Sequence, residues 1–118
     1  MDRIILAFAS EKAHAQITRI LGSGRLAPSI SCFSGAETIR AARKLGGAVV
    51  ICGFRLRDMT AEMLAVDLTG IAPVLVISSP GNLELCGDRN LIKLAVPSSR
   101  AEFFASLDLA QGVLAGGA

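Results

Sequence analysis

Five short apolar runs, spaced along the chain, constrain the fold of this sequence more than any other feature. They are RIILAFA (3–9), PSISCF (28–33), AVVICG (48–53), PVLVIS (73–78) and LIKLAV (91–96). Runs of Val, Ile and Leu without polar alternation are typical of parallel strands that are buried on both faces. Their starts lie 18 to 25 residues apart, which leaves room for the crossover helix that each pair of parallel strands requires.

Helix signals occupy the gaps between these runs. Ser10, Ser34 and Thr60 can cap helices in the first three gaps, and Ser99 can cap a last helix after the fifth run. The apolar core face of the first helix includes Ile17 and Ile20. The fourth gap, SPGNLELCGDRN, holds a Pro and two Gly, so at most about two turns of helix fit there, around Leu83 to Cys86. The pattern predicts an α/β domain of (βα)5 doubly wound type, with a five-stranded parallel sheet and right-handed crossovers. We expect the domain to cover 1–114, with a frayed tail over 115–118.

Composition excludes several classes of protein. No apolar run approaches the roughly 18 residues of a membrane span, and the N-terminus lacks a cleavage signal, so we expect a cytoplasmic protein that does not contact membranes. Cys32, Cys52 and Cys86 have no paired spacing and His14 is the only histidine, so we expect no metal and no cofactor. We expect His14 to be solvated or half-buried on the first helix, and Cys86 to be more exposed than Cys52. The chain has no Trp or Tyr and a net charge of +2, which argues against direct contact with nucleic acid.

Three segments resemble the receiver domain of bacterial response regulators, and the resemblance covers roughly residues 2–114. The most specific segment is GFRLRDMTAEML (53–64), which resembles the receiver segment that runs from the phospho-acceptor Asp into the third helix. VLVISS (74–79) and KLAVPSSRAEF (93–103) resemble the fourth strand and the turn into the last helix. The resemblance implies a flavodoxin-like receiver fold with a shortened fourth helix, and a role in two-component signal transduction or a phosphorelay.

The same resemblance places the receiver's acidic residues on side chains that cannot replace them. The acidic pair that holds Mg²⁺ falls on Phe8 and Ala9, and the phospho-acceptor falls on Gly53. Mg²⁺ requires hard oxygen ligands, which Phe8 and Ala9 do not offer. Aspartyl phosphorylation requires a carboxylate nucleophile, which Gly53 does not offer. We therefore expect no catalytic residue and no metal at these positions.

The remaining receiver positions lie at the ends of the fourth and fifth strands. The Ser/Thr position is retained as Ser78 and the proline position as Pro97, whereas the lysine that neutralises phosphoryl charge falls on Val96. The aromatic switch position falls on Lys93. Because the chemical groups are lost together, and two replacements are apolar, we interpret the pocket as converted into core. The sequence is thus identified as a degenerate receiver, or pseudo-receiver.

Within that group the sequence is most similar to the amino-terminal domains of firmicute ANTAR-type antitermination regulators. Those proteins carry a C-terminal helical domain that binds RNA hairpins and prevents transcription termination, and no such output domain lies in this chain. The resemblance implies a non-catalytic regulatory domain that is independent of phosphorylation. Its expected partner is a protein, its own output domain or a second copy of itself.

A shortened fourth helix should uncover part of the sheet, and an uncovered apolar sheet favours a partner. The candidates for this interaction surface are Leu83, Leu85, Lys93, Phe103 and Phe104. The competing interpretation is that the two leucines and the two phenylalanines simply close the core.

Two other functions remain open on the sequence. An unorthodox receiver would be phosphorylated at Asp58, five residues beyond Gly53. A small flavodoxin-like enzyme or phosphocarrier would use Cys52 as its nucleophile. A pocket without charges could also admit a small apolar ligand.

Overall fold

The computed structural model of the chain describes residues 3–116. Five parallel strands form one sheet: β1 (Arg3–Ala7), β2 (Ile30–Cys32), β3 (Ala48–Gly53), β4 (Val74–Ser78) and β5 (Leu91–Ala95). Their order across the sheet is β2-β1-β3-β4-β5. Each strand falls within one of the five apolar runs, and the predicted doubly wound (βα)5 fold is confirmed.

Five helices connect and follow the strands: α1 (Glu11–Ser23), α2 (Gly35–Leu45), α3 (Ala61–Asp67), α4 (Pro80–Leu83) and α5 (Arg100–Gly116). Within residues 3–116, no helix combines the length and the apolarity needed to cross a bilayer. Helix α5 runs through Gly116, two residues beyond the predicted boundary at 114, and residues 117 and 118 of the expected tail lie outside the described part.

Two apolar clusters hold the helices against opposite faces of the sheet. Alternate residues of β3 show the division, because Val49 and Ile51 pack with α1 and α5 while Val50 and Cys52 pack with α2 and α3. All of these strand residues are buried. Burial of a Val or Ile side chain contributes roughly 1.5–3 kcal/mol, so the central strand needs the uninterrupted apolar sequence that it has.

The predicted caps form where the sequence placed them. Ser10 accepts a hydrogen bond from the amide of Ala13, and Thr60 accepts one from the amide of Met63. Ser99 and Glu102 form a reciprocal capping box, in which each side chain accepts from the other residue's backbone amide at 3.0 and 2.8 Å. These local contacts fix where each helix begins.

The fourth helix is a single turn, and a hydrogen-bonded loop takes its place. One carboxylate oxygen of Glu62, on α3, accepts from the amides of Gly87 and Asp88 at 3.0 Å each. The side-chain amide of Asn90 donates to the carbonyls of Ala65 and Ala72 at 3.0 and 2.8 Å. The loop is thereby tied to α3, and the shortened helix predicted from the sequence is confirmed.

Candidate functional site

The candidate site lies where the carboxyl ends of the parallel strands meet. The strand order reverses between β1 and β3, and in open α/β sheets ligands bind outside the strand ends at such a reversal. Phe8 follows β1 directly, and Gly53 is the last residue of β3. These two receiver positions therefore lie side by side.

The Phe8 ring occupies the space beside Gly53. A Cβ atom at position 53 would lie 3.2 Å from Cδ1 and 3.6 Å from Cε1 of Phe8, and the first distance is shorter than an ordinary carbon–carbon contact of about 3.5–4.0 Å. Phe8 is itself buried in the cluster beneath α1 and α5. Glycine at 53 therefore suits the packing, since a side chain there would require the Phe8 ring to shift by a few tenths of an ångström.

His14 and Phe33 extend the aromatic contacts around Phe8. The ring centroids of Phe8 and His14 are 5.6 Å apart, and those of His14 and Phe33 are 4.5 Å apart. The Arg57 guanidinium lies 4.9 Å from the centre of the Phe33 ring. Together these side chains cover the mouth of the site near β1 and β2 with rings rather than carboxylates.

His14 is only 7% exposed, whereas the sequence suggested a solvated or half-buried side chain. Its Nε2 lies 3.0 Å from the Phe8 carbonyl oxygen. Because a carbonyl oxygen can only accept, Nε2 carries the hydrogen. Nδ1 is buried without a hydrogen-bond partner among the described residues, which typically costs about 1–3 kcal/mol.

Asp58 is directed at the start of α2 and away from Gly53. Its two carboxylate oxygens accept from the amides of Gly35 and Ala36 at 2.6 and 3.1 Å. The Gly35 hydrogen bond, followed by that of Ala36, lowers the pKa of this carboxyl. The Met59 side chain packs directly on Gly35, where a Cβ atom would find no room. Residues 58 and 59 therefore fasten the β3–α3 loop to α2, which gives Asp58 a structural role.

The other receiver positions lie around the ends of β4 and β5. The Ser78 hydroxyl accepts from the Asn82 side-chain amide at 3.0 Å, so it is engaged with α4. Ala9, Val96 and Pro97 are exposed, with Val96 at 40%. The expectation that the whole pocket had become core is therefore wrong, because Phe8 alone fills it while Val96 borders a surface cleft.

The residues at these positions do not fit the magnesium ion that receivers hold. Phe8 and Ala9 have no side-chain oxygen, and no group of three His, Cys, Asp or Glu side chains suited to a metal forms within residues 3–116. A hard cation requires several oxygen ligands.

Neither cysteine near the site is placed for nucleophilic chemistry. Cys52 is fully buried in β3, and burial raises the pKa of its thiol, so the thiolate that attacks substrates does not form there. Cys86 is 2% exposed, and the expectation that it would be more accessible is wrong. Its Sγ lies 3.8 Å from the Asn82 carbonyl oxygen, because the loop after α4 folds inward.

The proposed interaction surface is only partly available. Leu83 and Phe103 are buried in the two apolar clusters, and Phe104 covers Gly24 at the end of α1 beneath the Arg100 guanidinium. Leu83 and Phe103 thus close the core, and Phe104 is half-buried against the end of α1, so these three residues contribute little to an exposed surface. Leu85, at 72% exposure, and Lys93 do project to solvent.

Comparisons with known proteins give the fold. No protein-family model matches the sequence, and no curated protein matches it. The response regulator receiver protein of Sinorhizobium medicae WSM419 aligns over 96% of this chain and 96% of its own, with a TM-score of 0.77 and 16% identity.

Two further solved structures agree. The receiver domain of a sensor histidine kinase from Pseudomonas aeruginosa PAO1, with a magnesium ion coordinated in its active-site cleft, has a TM-score of 0.72 at 17% identity, over 95% of this chain and 99% of its own. The signal receiver domain of the response regulator NarL from Mycobacterium tuberculosis has a TM-score of 0.76 at 21% identity, over 94% of this chain and 97% of its own. The chain therefore has the α/β receiver fold of response regulators.

Proposed function

We propose that this chain is a non-catalytic signalling domain that acts without phosphorylation. The observation that carries the proposal is the contact between Phe8 and Gly53, 3.2 Å from the ring to a Cβ at position 53. A receiver needs a carboxylate at that point and oxygen ligands beside it for the metal. Here an aromatic ring fills the space, and the nearest candidate acid, Asp58, is engaged with the amides of α2.

The proposed output is protein contact on the side of the sheet that α4 leaves uncovered. Lys93 and Ala95 of β5 are exposed beside Leu85 in the loop after α4. We call these three residues the β5 surface. Its proposed occupant is a protein partner, an output domain of the same protein or a second copy of the chain.

Transcription antitermination is part of the same proposal, by analogy with the ANTAR-type regulators that the sequence resembles. In that setting a separate RNA-binding domain would contact the RNA, and this domain would control it through the β5 surface. A cytoplasmic location accompanies the proposal.

An amide NMR titration with Mg²⁺ and beryllofluoride, a phosphoryl mimic, tests the loss of phosphorylation. We expect no saturable shifts at Gly53, Ser78 or Val96. The Pseudomonas aeruginosa receiver domain, whose structure contains magnesium, provides a positive control under identical conditions. Saturable shifts in this chain, around Gly53 or around Asp58, would show a rebuilt phospho-site and overturn the proposal.

A further inference from the structure

A surface cleft between α1 and the β5–α5 connection is not explained by the proposed function. It encloses about 460 Å³, which lies within the range of about 300–1,000 Å³ typical of small-molecule sites. An adjoining hollow of about 350 Å³ shares four of its lining residues, Arg19, Ile20, Ser98 and Phe103. The two hollows form one groove that runs along α1.

The floor and walls of the groove are apolar. Phe8, Ile17, Leu94 and Phe103 are buried members of the core beneath α1 and α5, and they form its floor. Val96, at 40% exposure, stands on the wall beside the half-buried Ile77. Because the floor residues are buried, the apolar surface that a ligand would remove from water lies mainly on Ile20, Ile77 and Val96, at roughly 25 cal/mol per Å² of area covered.

Two positions that the receiver resemblance marks as degenerate contribute to this groove. Phe8 replaces one residue of the acidic pair and Val96 replaces the lysine, and both line it. The substitutions that remove the phosphoryl-transfer groups are thus the ones that make the groove apolar. Because the Phe8 ring also contacts position 53, whatever occupies the groove contacts the residue that fills the former phospho-site.

The charge at the rim is positive. Arg19 lines both hollows and is exposed, and Arg100 lines the second one. Arg100 is already engaged, since its guanidinium donates to the hydroxyl and carbonyl of Ser23 at 2.8 Å each. No acidic side chain lines either hollow. The guanidinium of Arg19 is thus placed to receive one carboxylate at the edge of an apolar surface.

We propose that this groove binds a small amphipathic carboxylic acid, with its apolar body between Phe8, Ile20 and Val96 and its carboxylate at Arg19. The inference goes beyond the proposed function, because it gives the domain a chemical ligand where a receiver would take a phosphoryl group. The charge and the apolar floor together select this ligand class. An uncharged apolar molecule would leave Arg19 without a partner, and a phosphate would leave the floor exposed.

Amide NMR titration of the chain with decanoate, below its micelle concentration, tests the inference, with decanol as the uncharged match. We expect saturable decanoate shifts at Phe8, Ile20, Val96 and their neighbours, and weaker binding of decanol. Arg19→Gln should weaken decanoate binding by about 1.4-fold to fivefold, the range for one exposed ion pair. Arg43→Gln, an exposed arginine on α2, should leave it unchanged.

Val96→Asp places a carboxylate on the groove wall and should weaken decanoate binding by about tenfold or more. Val66→Asp, at an exposed position on α3, is the matched control. Shifts outside the groove, or none, would overturn the site. Equal effects of Arg19→Gln and Arg43→Gln, or equal binding of decanol, would overturn the carboxylate assignment.

Shifts at the same residues that follow protein concentration, without decanoate, would show that a second copy covers the groove, which also overturns the inference. The titration contains neither Mg²⁺ nor beryllofluoride. Its failure is therefore distinct from a failure of the phosphorylation test.

Discussion

At the scale of single residues, the pair Phe8 and Gly53 decides what the strand ends can do. A glycine at the end of β3 leaves room for a ring from β1, and a Cβ atom at 53 would crowd that ring. The packing of each residue therefore depends on the other. The proposed absence of an acceptor and of metal ligands at these two positions rests on this one contact.

A double-mutant cycle measures that contact. Gly53→Ala should lower the free energy of unfolding more in the native chain than in the Phe8→Val variant. The reason is that the added methyl group lies 3.2 Å from a ring atom that Val lacks. We expect a coupling free energy of about 1 kcal/mol, from urea unfolding followed by circular dichroism. Gly22→Ala, at a helical position with nothing within 4 Å, should show no coupling to Phe8→Val. Equal coupling in the two cycles would contradict the packing explanation.

At the scale of elements, side chains that reach across to another element's backbone hold the loops in place. Glu62 joins α3 to the loop after α4, and Asp58 joins the β3–α3 loop to the start of α2. Asp58 satisfies amides that the first turn of α2 leaves unpaired, and Glu62 satisfies two amides of a loop outside the helices. These hydrogen bonds within the chain hold the loops around the site in place.

Stability should depend on pH through Asp58. Its pKa is lowered in the folded state by the amides of Gly35 and Ala36. The stabilisation is therefore fully present above the ordinary aspartate pKa of about 3.9, and it is lost as the pH falls through the lower folded value. Asp58→Asn keeps one acceptor oxygen but loses the negative charge at the start of α2, so it should reduce the free energy of unfolding by about 0.3–1 kcal/mol at neutral pH.

The difference in the free energy of unfolding between Asp58→Asn and the native chain should shrink towards zero as the pH falls through the lowered folded-state pKa and the native carboxyl is protonated. Urea unfolding at a series of pH values measures it. Asp108→Asn, at an exposed position on α5, should change the free energy of unfolding much less at neutral pH. A difference that stays constant from neutral to acid pH would show that the Asp58 carboxylate does not bind these amides.

At the scale of the whole molecule, the two faces of the sheet are covered unequally. Helices α1 and α5 cover one face with a groove between α1 and the β5–α5 connection, while α2, α3 and the single turn of α4 cover the other. The short α4 leaves Lys93 and Ala95 exposed at the outer strand. An unprotected outer strand favours association, although a lysine on it limits indiscriminate pairing.

A dilution series recorded by amide NMR tests the β5 surface as a contact between copies. We expect concentration-dependent shifts at Leu85, Lys93 and Ala95, since exposed apolar side chains beside an open strand gain most from being covered. Leu85→Asp should abolish these shifts. Ile30→Asp, at an exposed apolar residue on the opposite edge of the sheet, should preserve them. Shifts confined to α1 or α2 would place the contact elsewhere.

The sequence predicts local features well because their causes are local. Ser10 and Thr60 cap helices through amides three residues away, and the AVVICG run forms a strand because both faces of β3 are covered. Contacts between distant residues could not be predicted in this way. The partners of Asp58 lie 22 and 23 residues back along the chain. The contacts of Cys86 and Phe104 likewise depend on the conformation of the loop after α4 and on the position of the end of α1.

The groove residues were missed for a related reason. Ile17 and Ile20 were assigned to the core face of α1, and the groove appears only when α1 and the β5–α5 connection are placed together. A signal was present nonetheless, because Phe8 and Val96 are apolar where a receiver is charged. The apolar residues at these two positions predicted the loss of phosphoryl transfer. Both also line the groove for which a carboxylic acid ligand is proposed.

The contact between Phe8 and Gly53 also means that the two positions cannot be changed favourably one at a time. An aspartate placed at 53 would press on the ring, which would have to shift by a few tenths of an ångström. An aspartate placed at position 8 would remove the ring from the core and leave a cavity there. Each substitution is therefore unfavourable without the other, so we expect an engineered acidic pair at these positions to require both changes together.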